Sequence, residues 1–411
     1  PTTPDLNDIN IQTALRLIQR LTSSKINVRD PLVAEVASKL ASGDRIGAAE
    51  LVTNERNFYN VTVKDFAKKM SNRPETILVP LNDFAASFIG VVRDEIDARL
   101  LVSGDIMYLG RPTIAPSDLV LHVLASNDHY QFLDQKNFDL SKALVRVDQS
   151  HPWTDARGRV VTGQMIRSSV TTAVKNPDPA GVLTSKSFME NHAVAGTNRR
   201  LVEFTFREFM CTPIQNWADV AASEAMITRD IDRFPGGDPQ AFASTCKACH
   251  TVMDGFRGAF ARYNYATDMI KHTFVHKNGP DTNNFLTPQD SNGVVAKINL
   301  NNVYSAGNVV TDDYWENNAN VNSNAAFFGW RGSNIKRGYG VGSLGAMIGN
   351  SERFSLCMAK RVAEAVCKKQ MSTADLSGWL SGMSKQFESD GYNLKKLFQR
   401  TALNESCLGI K

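Results

Sequence analysis

The chain has 411 residues, of which 42% are hydrophobic and 21% charged, with a formal net charge of +4. That length allows two or three domains, and that composition is ordinary for packed globular cores. So small a charge imbalance speaks against a nucleic-acid partner and against a strongly steered acidic one, and no apolar run approaches the roughly 18 residues of a membrane span.

Helix signals fill the first hundred residues. Asp30-Pro31 is an N-cap followed by proline in the first turn. Leu32, Val33, Val36, Ala37 and Leu40 then share one apolar face, and Gly43 ends the helix. Asp44 caps the next helix, with Ile46, Ala49 and Leu51 on its apolar side. Residues 82–101 read as one further helix, with Phe84, Phe88, Ile89, Val92 and Ile96 on one face. The stretch 150–185 is mixed, with a turn at Asn176-Pro177-Asp178-Pro179-Ala180-Gly181. Residues 199–210 form a helix that leads into Cys211-Thr212-Pro213. Pro235-Gly236-Gly237-Asp238-Pro239 breaks the chain before the next element.

Residues 278–339 are rich in Asn, Gly and Asp and read as long irregular structure with a few short strands. They form either a functional loop or a surface elaboration packed by Trp315, Phe327, Phe328 and Trp330. Helix returns after residue 341. Phe354, Cys357, Met358, Val362 and Ala365 keep helical spacing, as do Leu376, Trp379, Leu380, Met383 and Phe387. A last face starts at Leu394, Leu397 and Phe398, after Asp390-Gly391.

Cys246-Lys247-Ala248-Cys249-His250 has the spacing of a c-type haem attachment site. Two thiols three residues apart can add across the two vinyl groups on one porphyrin edge, and the adjacent imidazole can reach the iron. A zinc site would need two more ligands at suitable spacing, and no second C-x-x-C or H-x-x-x-H occurs. A thioredoxin-like pair would need a preceding strand and a βαβ setting, which the pattern lacks. The expected cofactor is one covalent haem c, held by Cys246 and Cys249 with His250 on the iron. Residues 250–265 read as a helix. Met253, Arg257 and Phe260 then follow His250 at steps of three and four, on the haem side. Met253 lies one turn beyond His250 on the same side of the ring, so it packs rather than ligates. For the opposite axial position the candidates are Met189, His192, Met269, His272, His276 and Met347, and nothing in the pattern selects among them.

Four cysteines remain, Cys211, Cys357, Cys367 and Cys407. Haem of this kind is attached outside the cytoplasm, so an even remainder implies two disulfides. Cys357 and Cys367 are about 15 Å apart on one helix by helical rise, too far to bond. A helical hairpin can return Cys407 to Cys367, which leaves Cys211 for Cys357. Cys211 with Cys367 and Cys357 with Cys407, or four free thiols, stay open.

Several stretches resemble the bacterial monohaem proteins built from planctomycete-type cytochrome domains of unknown function. They are Ala195-Gly196-Thr197-Asn198-Arg199-Arg200, Phe209-Met210-Cys211-Thr212-Pro213, residues 246–264 with Met253-Asp254-Gly255, Phe327-Phe328-Gly329-Trp330-Arg331, residues 354–367 and Gly391-Tyr392-Asn393-Leu394. The likeness covers roughly residues 160–411. Many relatives have Asp-Pro where this chain has Asp254-Gly255. The resemblance implies an exported bacterial haem protein and brings no established reaction.

The expected fold is mainly α. A helical, c-type cytochrome-like haem domain at 161–340, carrying the irregular segment, lies between helical regions at 1–160 and 341–411. A signal sequence ahead of Pro1 and a periplasmic or extracellular location go with it. The sequence shows no catalytic constellation such as Ser/His/Asp, HExxH or a phosphate loop. Electron transfer, with a redox partner protein or a membrane-associated complex, is the leading expectation. A peroxidase- or oxygenase-type haem enzyme is the alternative, because a simple carrier needs only about a hundred residues. A surface-assembly subunit organised by haem is a third.

Overall fold

The computed structural model describes residues 5–114, 119–155, 158–193, 198–228, 231–266, 268–273, 296–299 and 308–409. Helices dominate, with short two-stranded antiparallel ribbons between them. The N-terminal helices start where the sequence places their caps. Asp8 accepts from the backbone of Asn10 ahead of Ile9–Thr22, and Asp30 accepts from Leu32 ahead of Pro31–Ala41. Asp44 accepts from Gly47 ahead of Arg45–Thr53. Each carboxylate satisfies a donor that the first helical turn leaves open. Ala14, Leu17, Ile18 and Leu21 of the first helix are buried, at the spacing of one helix face.

The single helix expected over 82–101 is two. Asp83–Asp94 ends at Glu95 in the left-handed region, and Leu100–Ser103 follows. The break has a tertiary cause. The Ala98 N–H donates to Tyr392 O at 3.0 Å, and Asp97 bridges to Asn393. The backbone thus leaves its own helix to pair with the turn before the helix Leu394–Ala402.

The helix Glu352–Cys367 is the hub of the C-terminal part. Ser351 caps it by accepting from Phe354 N at 3.1 Å. It packs on Asn198–Met210, Trp379–Ser389, Leu394–Ala402 and Ile9–Thr22. The sulfurs of Cys211 and Cys357 are bonded, with their Cα atoms 5.2 Å apart, and those of Cys367 and Cys407 are bonded at 4.8 Å. The first tie joins the C-terminal hub to the residue that follows the helix Asn198–Met210. Arginines of the N-terminal helices meet carbonyls at C-terminal helix ends: Arg20 donates to Cys367 O at 2.7 Å, and Arg45 to Leu403 O at 2.8 Å. One hydrophobic core runs from Leu17 through Phe88 and Phe206 to Cys407.

Between residues 308 and 339 the chain is short ribbon and helix rather than bare loop. Tyr314–Glu316 pairs with Arg337–Tyr339, and Asn322–Phe328 is helical. Trp315 and Phe328 are fully buried, whereas Phe327 is exposed. Phe206 stacks on Trp217 at 4.5 Å, and Phe328 meets Trp217 edge-on at 5.4 Å. Phe256 joins this aromatic cluster, against Phe206 at 5.0 Å and Trp217 at 6.2 Å.

Candidate functional site

Cys246 ends a π-helical turn, Phe242–Cys246, and Cys249 and His250 lie on the helix Lys247–Met253. A π-turn frequently marks a functional position in a helix. Cys246 and Cys249 are unbonded and half-buried, while the other four cysteines are paired. Burial pushes the Cys249 thiol up, and the nearby Glu203 and Cys246 add to that. A thioredoxin-like pair needs the opposite, a thiolate favoured by its surroundings. Among the described residues no group of three or more His, Cys, Asp and Glu gathers around a common point.

The helix is pinned on two sides. Thr251 Oγ1 donates to Asp219 O at 2.6 Å, and Asp219 N donates to Ala248 O at 2.8 Å. Asn318 Nδ2 donates to Thr251 O at 2.8 Å. The helix expected over 250–265 does not continue. It tightens at Asp254 into a 3₁₀ helix, Asp254–Phe260, and then becomes the strand Tyr263–Ala266. The glycines explain the change. A Cβ on Gly255 would strike the carbonyl oxygen of Glu316, and one on Gly258 that of Tyr314. The strand Tyr314–Glu316 therefore approaches this turn backbone to backbone, at a distance only glycine allows.

The Asp254 side chain is wholly buried. It accepts two bonds from Arg199, from Nε at 2.7 Å and Nη2 at 2.8 Å. Nδ1 of His250 stands 3.2 and 3.3 Å from its two oxygens, and Arg257 Nη1 is 3.4 Å away. Burial alone would push the Asp254 carboxyl up. The bonds from Arg199 and His250 and the charge of Arg257 outweigh it, and the carboxyl sits below its usual range. With Nδ1 turned to the carboxylate, Nε2 of His250 has no hydrogen-bond partner among the described residues. Arg257 is fully buried and also binds the Ile298 carbonyl, through Nε at 3.2 Å and Nη2 at 2.5 Å. Met253 and Phe260 are buried as well.

Two unbonded thiols and an imidazole with a free outer nitrogen on one helical turn fit the donor set of a c-type haem. Cys246 and Cys249 would hold the porphyrin edge, and His250 the iron.

The candidates for the opposite position are scattered. Met189 and His192 lie on Lys186–His192, and Met269 and His272 on the strand Met269–His272 that this helix packs against. His192 is fully buried, stacked 4.0 Å from Phe204, with both ring nitrogens unpartnered. Burial, reinforced by Arg200, Arg73 and Arg207, pushes its pKa down to about 3, so the ring is neutral. His272 sits edge-on to Tyr263 at 4.7 Å. Met347, on Gly340–Gly349, accepts from Asn317 through its sulfur at 3.5 Å. His276 lies outside the described residues. The helix Lys247–Met253 packs instead on Asn198–Met210 and Ile214–Asn216.

Sequence reading missed the roles of Asp254 and Arg199. The four-residue step from His250 to Asp254 was a usable signal, since it places both on one helix face. No spacing rule joins Arg199 to a carboxylate 55 residues later. No family model matches the chain, and neither the curated proteins nor the solved structures contain a significant match.

Proposed function

We propose that this chain is an exported monohaem c-type cytochrome that relays electrons to a protein partner or a membrane-associated complex. The observation that carries the reading is the helical turn itself: two unbonded thiols and an imidazole with a free outer nitrogen, in a chain whose other cysteines are paired. The bound group would supply a one-electron iron couple. Cys246 and Cys249 would fix its position and His250 Nε2 its iron. Asp254 would hold the imidazole plane, with Arg257 acting through Asp254 and Met253 packing one turn beyond. The two disulfides fit an oxidising compartment, and no described helix is long and apolar enough to cross a membrane. The resemblance to planctomycete-type cytochrome proteins would imply an exported haem protein and brings no reaction of its own.

The test is direct. The chain is produced in a host that attaches c-type haem, extracted with acid acetone and stained for haem on a denaturing gel. Haem should stay with the polypeptide, and the pair Cys246→Ala with Cys249→Ala should abolish the stain. A colourless wild-type band sinks the reading. A second reading, a haem enzyme of peroxidase type, is favoured by the buried carboxylate on the axial imidazole, since such a partner stabilises oxidised iron. Carbon monoxide separates the two. An unchanged reduced spectrum supports electron transfer, and ready binding supports catalysis.

A further inference from the structure

His250 and Asp254 are four residues apart, so any helix would place them on one face. Most such pairs are solvated and weak. This one is not. The carboxylate has no exposed side-chain surface, and Arg199 forks onto it with bonds of 2.7 and 2.8 Å from a different helix. Arg257, itself fully buried, closes a third side at 3.4 Å. An uncompensated buried carboxylate would be costly, so the two arginines are what keep the anion in place.

The geometry leaves the imidazole one arrangement. A carboxylate already accepting from Arg199 can only accept again, so the nitrogen facing it must carry a proton. Nδ1 is therefore N–H, and in the neutral ring that a metal ion binds the lone pair is on Nε2. A carboxylate on the far nitrogen of a metal-bound imidazole fixes its orientation and raises its basicity.

We propose that Asp254 is a positioning residue that fixes the His250 tautomer and strengthens its donation to the haem iron, favouring the oxidised state and lowering the reduction potential. This rests on the haem reading above. Arg199 and Arg257 hold the anion in place without touching the imidazole themselves in any bond the structure records.

The experiment compares the wild-type haem protein with Asp254→Asn, which keeps size and an acceptor oxygen and loses the charge. Both are stained for haem first, then titrated potentiometrically. Asp254→Asn should keep covalent haem and shift the reduction equilibrium roughly tenfold towards the ferrous form, an upward step of about 59 mV for one electron. A haem-loaded variant with an unmoved potential overturns the proposal, because a purely structural Asp254 would alter folding yield and leave the potential alone. If Asp254→Asn does not accumulate, the wild type carries the test. In the ferrous carbon monoxide or low-spin form, histidine ¹⁵N spectra should show His250 Nδ1 protonated, with an N–H protected from solvent exchange. A fast-exchanging or unprotonated Nδ1 overturns it. A wild-type chain that stains for no haem overturns the haem reading too, at a step before any potential is read.

Discussion

The helix Glu352–Cys367 and the segment 246–260 are held in the fold by different forces. The first is an amphipathic helix that buries Phe354, Met358, Val362 and Val366 and is tied to its neighbours by a disulfide at Cys357 and another at Cys367. Its contacts are apolar and covalent, which tolerate small shifts. The second also buries Val252, Phe256 and Phe260, but adds glycine backbone packed against backbone and a buried cluster of Asp254, Arg199 and Arg257. Those contacts tolerate almost none, because an added methyl meets a carbonyl and a lost charge leaves its partner stranded. Robust packing surrounds the part of the chain that has to hold a geometry.

The largest effect expected is on the covalent side. Replacing Cys211 and Cys357 together by Ser opens a loop of 146 residues. In the chain-entropy model this lowers unfolding free energy by about 5 kcal/mol, read by urea denaturation. A loss below about 1 kcal/mol would show that the apolar seam alone joins the two regions. Next is Gly258→Ala. Its methyl would occupy the place of the Tyr314 carbonyl oxygen, and a backbone atom cannot rotate away. The expected cost is about 4 kcal/mol, with selective loss of protection in the 254–260 amides by hydrogen exchange. Wild-type stability in this variant would erase the contrast between the regions.

Arg199→Met should cost about 3 kcal/mol, since Asp254 stays buried with only part of its compensation. The double variant with Asp254→Asn should recover part of that loss, because no lone anion is left behind. Additive losses would mean that the two residues are not coupled.

The smallest effect tests the seam between the regions. Glu208 is wholly buried on Asn198–Met210, and Arg361 of the hub helix approaches it at 2.7 Å. Burial pushes the Glu208 carboxyl up to about 7, against the pull of Arg361. A folded value above the unfolded 4.5 stabilises most below pH 4.5, and that contribution drains away as pH rises to about 7. Glu208→Gln should flatten this decline, a difference of about 2 to 3 kcal/mol between the ends of the window. Parallel stability profiles for the two proteins would place the ionised carboxylate comfortably in the fold.

Local signals carried much of this molecule. Asp30-Pro31 and Asp44 announced their helices because a cap is a contact within a few residues. Cys246, Cys249 and His250 stood out because their spacing puts them within one helical turn, and there the structure leaves both thiols unbonded. Helical rise excluded a bond between Cys357 and Cys367 and a hairpin favoured Cys367 with Cys407, but only the structure decided between the two remaining pairings.

What the sequence could not give were the encounters between distant segments. The break after Asp94 depends on Tyr392 and Asn393. The tightening at Asp254 depends on the strand Tyr314–Glu316 arriving against Gly255 and Gly258. The bond from Arg199 to Asp254 crosses 55 residues, and the Arg361 approach to Glu208 crosses 153. Periodicity records which face of an element is apolar, and motif spacing records what one turn can hold. Neither records which other segment will lie against it. The Cys246–His250 spacing was therefore set by five consecutive residues, whereas the carboxylate beside His250 is held by an arginine that only the fold brings to it.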